Sequence, residues 1–394
     1  MNDLGSTENS CPKCEKRKKI RTLIAYWLLG LCNNYGYVVM LAAAADIIKK
    51  FSDKNEQSKV RDCTYMSTGV VLLADVLPCL LVKIIGPFLP FFVHVRVALI
   101  IVLASASFIL VAFSESMPLA ILGVVLTSFS SGLGEITYLQ YSSFYDKNVV
   151  STWSSGTGGA GVFGALSYVL LNAIGLRNAL LAMLVVPLAM GLSFWYLLPK
   201  PSEFDVHNVS DNKDDIPTQS LRTKLGLLPG LAKYMVPLGL VYLFEYFINQ
   251  GLFELINFNN AVVDKEAQYR WLQVTYQLGV LMSRSSVNLF HIKRVYILAI
   301  LQLVNVALYT TEVIYFYVPS FYIVIALTLW EGLLGGSAYV NTFYTISAEV
   351  PEENKQFSMA MTSFADSCGI TLAGIFSMLA HNKICDIPLP NHVY

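Results

Sequence analysis

Residues 241–256 read Val-Tyr-Leu-Phe-Glu-Tyr-Phe-Ile-Asn-Gln-Gly-Leu-Phe-Glu-Leu-Ile, a stretch apolar enough for a membrane that also carries two carboxylates and two amides. A carboxylate at the centre of a membrane helix costs roughly 2.5–3.5 kcal/mol on insertion scales, so Glu245 marks a water-filled cavity or a partner side chain rather than lipid. At about 100° per residue, Glu245 and Asn249 share one helical face, Gln250 and Glu254 share another, and Glu254 lies roughly opposite Glu245. One straight helix cannot aim both acids into one cavity. Gly251 stands between them, where a helix bends or opens most easily. Glu245 is therefore the expected cavity acid, and structural bonding of both acids to neighbouring helices is the alternative.

Other polar side chains interrupt apolar runs in the same way: Asn33 and Asn34, Asp75, Ser128 to Ser131 with Glu135, Glu331 with Ser337, Asn341 and Thr342, and Asp366. Acids so placed suit protons or a basic amino acid, whereas an anionic solute requires a cation, for which Arg284 is the candidate. Asp75 and Asp366 are central in their runs, where ion coupling and pairing between helices are both open. Lys83, near a helix end, reads as snorkelling to the interface, and Arg284 fits either snorkelling or binding. No Ser/His/Asp or Cys/His arrangement suggests hydrolysis and no histidine spacing suggests a metal, so neither catalysis nor a cofactor is expected. Gly156-Thr-Gly-Gly-Ala-Gly161 matches G-x-G-x-x-G, but it opens an apolar helix and no strand precedes it. Its glycines, Gly156, Gly158, Gly159 and Gly161 with Gly164, read instead as small-residue strips that let helices approach closely.

These residues need membrane helices to hold them. Of 394 residues 55% are apolar and only 14% charged, with a mean hydropathy of +0.54, which marks a polytopic membrane protein. Net charge is zero and no basic face argues for nucleic acid. Apolar runs of about 20 residues predict eleven spans, at 23–48, 65–85, 97–114, 117–140, 151–172, 177–198, 232–258, 267–289, 294–315, 319–348 and 356–381. The first run lacks a signal-peptide cleavage site and is expected to stay. A polar linker, 199–231, separates a six-helix half (23–198) from a five-helix half (232–381), with tails at 1–22 and 382–394. Placing the N-terminus in the cytosol assigns 18 of the 27 Lys and Arg residues to the cytosolic side.

Leu133-Gly134 with Tyr138-Leu139 recurs as Leu334-Gly335 with Tyr339-Val340, and Asn33-Asn34 is echoed by Asn249-Gln250, each echo six helices apart. Parallel repeats of this kind are what the two halves of a major facilitator fold look like, with solute bound near the midplane between them. The expected fold class is thus an all-α membrane protein, a major facilitator-like bundle of about eleven helices in two halves. The polar residues fall on helices one, four, seven and ten, which line the cavity of that fold. Helices six and nine, with few charges, read as outer spans facing lipid. The chain has seven cysteines. Cys11-Pro-Lys-Cys14 alone is half a zinc site, and its polar tail reads as disordered. Cys63 and Cys385 are both expected beyond the cytosol, beside the facing ends of helices two and eleven. A disulfide between them and two free thiols are the alternatives.

Several strings carry a closer resemblance: Trp27-Leu-Leu-Gly-Leu-Cys-Asn-Asn34, Val71-Leu-Leu-Ala-Asp75, Ser130-Ser-Gly-Leu-Gly-Glu135, Trp153-Ser-Ser-Gly-Thr-Gly-Gly-Ala-Gly161, Glu245-Tyr-Phe-Ile-Asn-Gln-Gly-Leu-Phe-Glu-Leu255 and Tyr339-Val-Asn-Thr-Phe343. They resemble the battenin family over about residues 27–379. The resemblance implies a protein of late endosomal and lysosomal membranes that clears glycerophosphodiesters from the lysosome, with links to lysosomal pH and basic amino-acid handling. The lipid bilayer, a small polar solute and protons are the partners so implied. A non-transporting scaffold that recruits trafficking proteins through 1–22 and 199–228 is the alternative of a different class. The acidic dileucine signal of animal members has no clear counterpart between residues 199 and 228.

A partly dehydrated carboxyl in such a protein can exchange a proton between an acidic lumen and a neutral cytosol. Glu245→Gln is accordingly expected to fold and to uncouple uptake from the pH gradient. Unchanged pH-driven uptake in a normally expressed variant would pass that role to Glu331 or Asp366.

Overall fold

The structure is a computed structural model. It describes residues 12–51, 69–146, 148–171, 174–201, 221–258, 261–263 and 265–388. Cys63 lies outside these.

Eleven helices follow one another among the described residues: α1 (Pro12–Phe51), α2 (Gly69–Ile85), α3 (Val93–Ala112), α4 (Met117–Ser142), α5 (Asn148–Leu171), α6 (Leu176–Leu197), α7 (Leu221–Phe247), α8 (Lys265–Arg284), α9 (Val295–Tyr315), α10 (Phe321–Glu349) and α11 (Glu352–Cys385). Eight are long and apolar enough to cross a membrane by length and composition. The other three are α2, α5 and α8. They pack against partners at the junction between halves, α2 on α11 and α5 on α8. α2 is strongly apolar and is set apart only by its length of 17 residues, whereas α8 is polar for a span and packs between α5 and α10.

Helix ends depart from the apolar runs. α1 begins at Pro12, with a proline in its first turn followed by Glu15, both favourable at a helix start, so much of the stretch read as a disordered tail is helical. α7 begins at Leu221 and runs through Pro229 and Pro237, taking residues 221–231 from the expected linker. α11 extends to Cys385. Cys385 is buried and disulfide-bonded, while Cys32, Cys79 and Cys368 are free.

α7 does open next to Gly251. A π turn spans Ile248–Leu252 and a 3₁₀ turn Phe253–Leu255 follows. Insertions of this kind are rare and concentrate at functional sites. Here the lack of a side chain on Gly251 also admits α11, since a Cβ would lie 2.9 Å from Ser377 Oγ.

In α9 one face carries Ile300, Leu303 and Val304 outward, as expected of an outer span. The opposite face buries Gln302, Asn305, Tyr309 and Glu312 inside the C-terminal half, which corrects the reading of α9 as a plain lipid-facing helix. Two of these side chains meet α10: Gln302 donates to the Glu331 carbonyl at 3.2 Å and Tyr309 pairs with Thr328 at 2.7 Å.

The small-residue strips of α5 serve two neighbours. A Cβ on Gly156 would collide with the Trp27 carbonyl of α1, while Gly159 faces the Trp27 ring and Gly164 faces Val38. Gly158 and Gly161 face α8 instead, against Leu281 and Gln277. Gly156→Val is expected to cost about 1–3 kcal/mol by overpacking, read as a lower thermal midpoint in detergent. Gly226→Ala, in the open first turns of α7 with nothing within 4 Å of the added carbon, is the control and should be neutral or slightly stabilising.

Candidate functional site

Three charged side chains from three helices meet at the junction. Lys83 of α2 places its ammonium 2.7 Å from Glu135 Oε2 of α4 and 2.9 Å from Asp366 Oδ1 of α11. All three are buried, Lys83 to 2% exposure. Lys83 therefore does not snorkel. A lysine one turn from a helix end can reach the interface, but here two carboxylates lie within reach of its stem, and inward pairing satisfies all three charges. Glu135 and Lys83 belong to the N-terminal half and Asp366 to the C-terminal half, so the cluster ties the halves together. Ser367 Oγ adds a 3.1 Å hydrogen bond to Asp366.

A second cation lies close by with different partners. Arg284, the last residue of α8, donates from Nη1 to Thr157 Oγ1 of α5 at 2.6 Å and from Nη2 to Tyr242 Oη of α7 at 2.8 Å. Its guanidinium carbon lies 4.2 Å from the centre of the Tyr339 ring. No carboxylate is among these partners, and Nε is buried without a hydrogen bond. Tyr339 joins the two centres, because its hydroxyl donates to Glu135 Oε1 at 3.0 Å while its ring carries Arg284. Tyr242 stacks on Tyr246, and Tyr246 accepts a 3.2 Å hydrogen bond from Tyr37 of α1 across the junction.

The remaining candidates lie apart from these two centres. Glu245 lies in the C-terminal half between α7, α8 and α10, where Tyr276 donates to its Oε1 and Gly335 leaves room for its carboxyl. Its Oε2, both oxygens of Glu331 and both amide atoms of Asn249 are buried without hydrogen-bond partners. Glu254 lies 2.7 Å from His381 Nδ1 of α11, so the two acids of the 241–256 stretch do serve different neighbours. Gln250 is buried in the π turn. Asp75 is buried in α2 with both oxygens unpartnered, and Asn33 spans from Asn34 to the Ser131 carbonyl. Asn341 holds a loop: it accepts from the Ile292 amide at 2.7 Å and donates to the Ser337 carbonyl.

Sequence reasoning missed Thr157, Tyr242, Tyr276 and Tyr339 as partners of charge. Tyrosines in apolar runs read as core, and only the i, i+4 spacing of Tyr242 and Tyr246 around Glu245 hinted at a polar wall.

The CLN3 protein family model matches residues 24–224 and 206–387. The chain belongs to the CLN3 family. Battenin of Canis lupus familiaris, a CLN3-type relative, is 42% identical over 93% of this chain and 92% of its own length. Protein BTN1 of Yarrowia lipolytica is 36% identical over 92% of this chain and 94% of its own. Among solved structures, a bacterial homolog to the human lysosomal transporter Spinster superposes with a TM-score of 0.58 at 16% identity, covering 91% of this chain and 81% of that one. The D-xylose-proton symporter gives 0.61 at 13% over 94% and 98%, and the human organic anion transporter MFSD10 gives 0.62 at 10% over 93% and 96%. This CLN3-family chain thus has the major facilitator fold and is a multi-pass membrane protein.

Removing Lys83 would leave Glu135 and Asp366 buried and unopposed. Lys83→Met is expected to cost about 3–5 kcal/mol of stability, and adding Glu135→Gln and Asp366→Asn to it should recover most of that loss. Thermal unfolding in detergent checks both, and an unshifted Lys83→Met midpoint would refute the pairing.

Proposed function

We propose that this protein is a transporter of the lysosomal membrane, with its N-terminus cytosolic, that exports small anionic solutes by alternating access, glycerophosphodiesters first among them. The observation that carries the anionic reading is the environment of Arg284. Two of its donors go to neutral hydroxyls, its plane lies on a ring and its Nε–H has no partner, so its charge remains available to a phosphodiester, which a guanidinium binds well. It bridges α8 to α5, where an occupied site would feel the two halves move. Of the acids that could hold a basic amino acid, Glu135 and Asp366 are already matched by Lys83, which leaves that alternative to Glu245 and Glu331. Export of such solutes supports lysosomal pH homeostasis in this reading.

Counterflow into proteoliposomes tests the assignment. Labelled glycerophosphocholine should exchange, and Arg284→Gln should lower that exchange about tenfold or more, equivalent to at least ~1.4 kcal/mol. Exchange of labelled arginine with none of glycerophosphocholine would overturn it.

A further inference from the structure

Between Lys13 and Arg21 six basic residues stand against one acid, Glu15, and all of them lie within α1, which is helical from Pro12 onward. Residues 15–21 are exposed throughout. A topology signal needs only charge close to a span, whereas a regular helix also fixes the direction of each side chain. Ile20 and Ile24, four residues apart, share one face and are 48% and 50% exposed, so on a membrane span that face meets lipid chains. Lys16 and Arg17 stand four and three residues before Ile20, on the same face. Lys19 and Arg21, about 100° to either side of Ile20, are engaged by the protein. The Lys19 ammonium lies 3.5 Å from Asp146 Oδ2 between α4 and α5, and Arg21 Nη2 donates to the Tyr196 carbonyl of α6 at 3.0 Å. The side chains of Lys16 and Arg17 have no hydrogen bond or ion pair among the described residues. Lys18 falls on the opposite side of the helix.

α6 fixes the depth of this face in the bilayer. Trp195 and Tyr196 are 44% and 77% exposed, and amphipathic rings of this kind settle at the headgroup boundary. Arg21, tied to Tyr196, lies at that level. At about 1.5 Å per residue, Arg17 and Lys16 stand about 6 and 7.5 Å farther out. That places them within the roughly 5–8 Å of polar layer that covers the hydrocarbon of each leaflet. Ile24 lies about 4.5 Å to the hydrocarbon side.

We propose that this face of α1, beside Tyr196 of α6, binds one anionic phospholipid of the leaflet at the end of the bundle where α1 begins. Its chains lie against Ile20 and Ile24, and its headgroup phosphate is held by Arg17 and Lys16. Arg17 offers paired N–H donors to the phosphate oxygens, and Lys16 adds a second charge. A basic residue next to an anionic leaflet favours it by about fivefold. Two of them without competing acids therefore give a preference of about tenfold or more over a zwitterionic lipid. A merely solvated basic helix would make no distinction between positions 16 and 17 on one side and 18 on the other.

Native mass spectrometry of the purified full chain, titrated in detergent with equal amounts of dioleoylphosphatidylserine and dioleoylphosphatidylcholine, reads the preference. The wild type should retain the serine lipid about tenfold or more over the choline lipid. Lys16→Gln and Arg17→Gln should each lower that ratio about fivefold, and the double variant should abolish it. Lys18→Gln, the same loss of charge on the other side of the helix, should change it less than about twofold. Thermal midpoints of all four variants should match the wild type, because none of these side chains holds the fold together. In wild-type nanodiscs, phosphatidylserine carrying a diazirine in its acyl chain should crosslink to α1 peptides bearing Ile24 or α6 peptides bearing Tyr196. No preference in the wild type, an equal loss in Lys18→Gln, or crosslinks confined to other helices would each overturn the proposal. Displacement of the lipid by millimolar inorganic phosphate would overturn it as well, by making the ligand a free anion.

Discussion

Burying Lys83 between Glu135 and Asp366 is the constraint on which the arrangement of the two halves depends. An ammonium at 2% exposure survives only with carboxylates in contact, and one of the two comes from the opposite half. The two ion pairs hold α2 and α4 to α11. In the alternating-access cycle proposed above, parting the halves there would separate Lys83 from Asp366 and leave the Lys83–Glu135 pair whole. The N-terminal half then carries a neutral pair, and Asp366 alone must find water or another donor. That asymmetry sets which half bears the electrostatic cost of the opening, and water entering the gap offsets part of it.

The helices around this cluster differ in composition for the same reason. α5 and α8 meet through glycines, so their backbones approach closely and polar side chains such as Gln277 fit into the gap. α3, α6 and α9 lie outside and show apolar side chains to the surroundings. The C-terminal half in addition encloses a polar interior, built from Gln302, Asn305, Tyr309, Glu331 and Glu245, while the N-terminal half buries Asp75 and Glu135.

Most of the fold was legible in the sequence because its signal is local. Eleven apolar runs mark eleven helices. Helix ends were less legible: Pro12 to Arg21 and the first ten residues of α7 are polar or proline-bearing yet helical, since helix continuation costs little once a span has nucleated. The site was legible as a set of buried charges but not as a set of pairs. Lys83, Glu135 and Asp366 are brought together by packing between distant segments, and no spacing rule connects them. The same limit hid Tyr339, whose hydroxyl and ring serve two different charges. The opening of α7 at Gly251 was visible, because a glycine between two buried polar clusters has few other uses.

Tyr339 also has a genetic consequence. Its hydroxyl bonds Glu135, the Trp153 indole donates to that same hydroxyl at 3.4 Å, and its ring underlies Arg284. Groups that share one partner do not contribute additively. Substitutions at 135, 153 and 284, on three different helices, therefore belong to one epistatic unit: the effect of each depends on whether the phenol between them is still in place. Alleles in this chain would sort by their distance from that ring, more than by the half in which they fall.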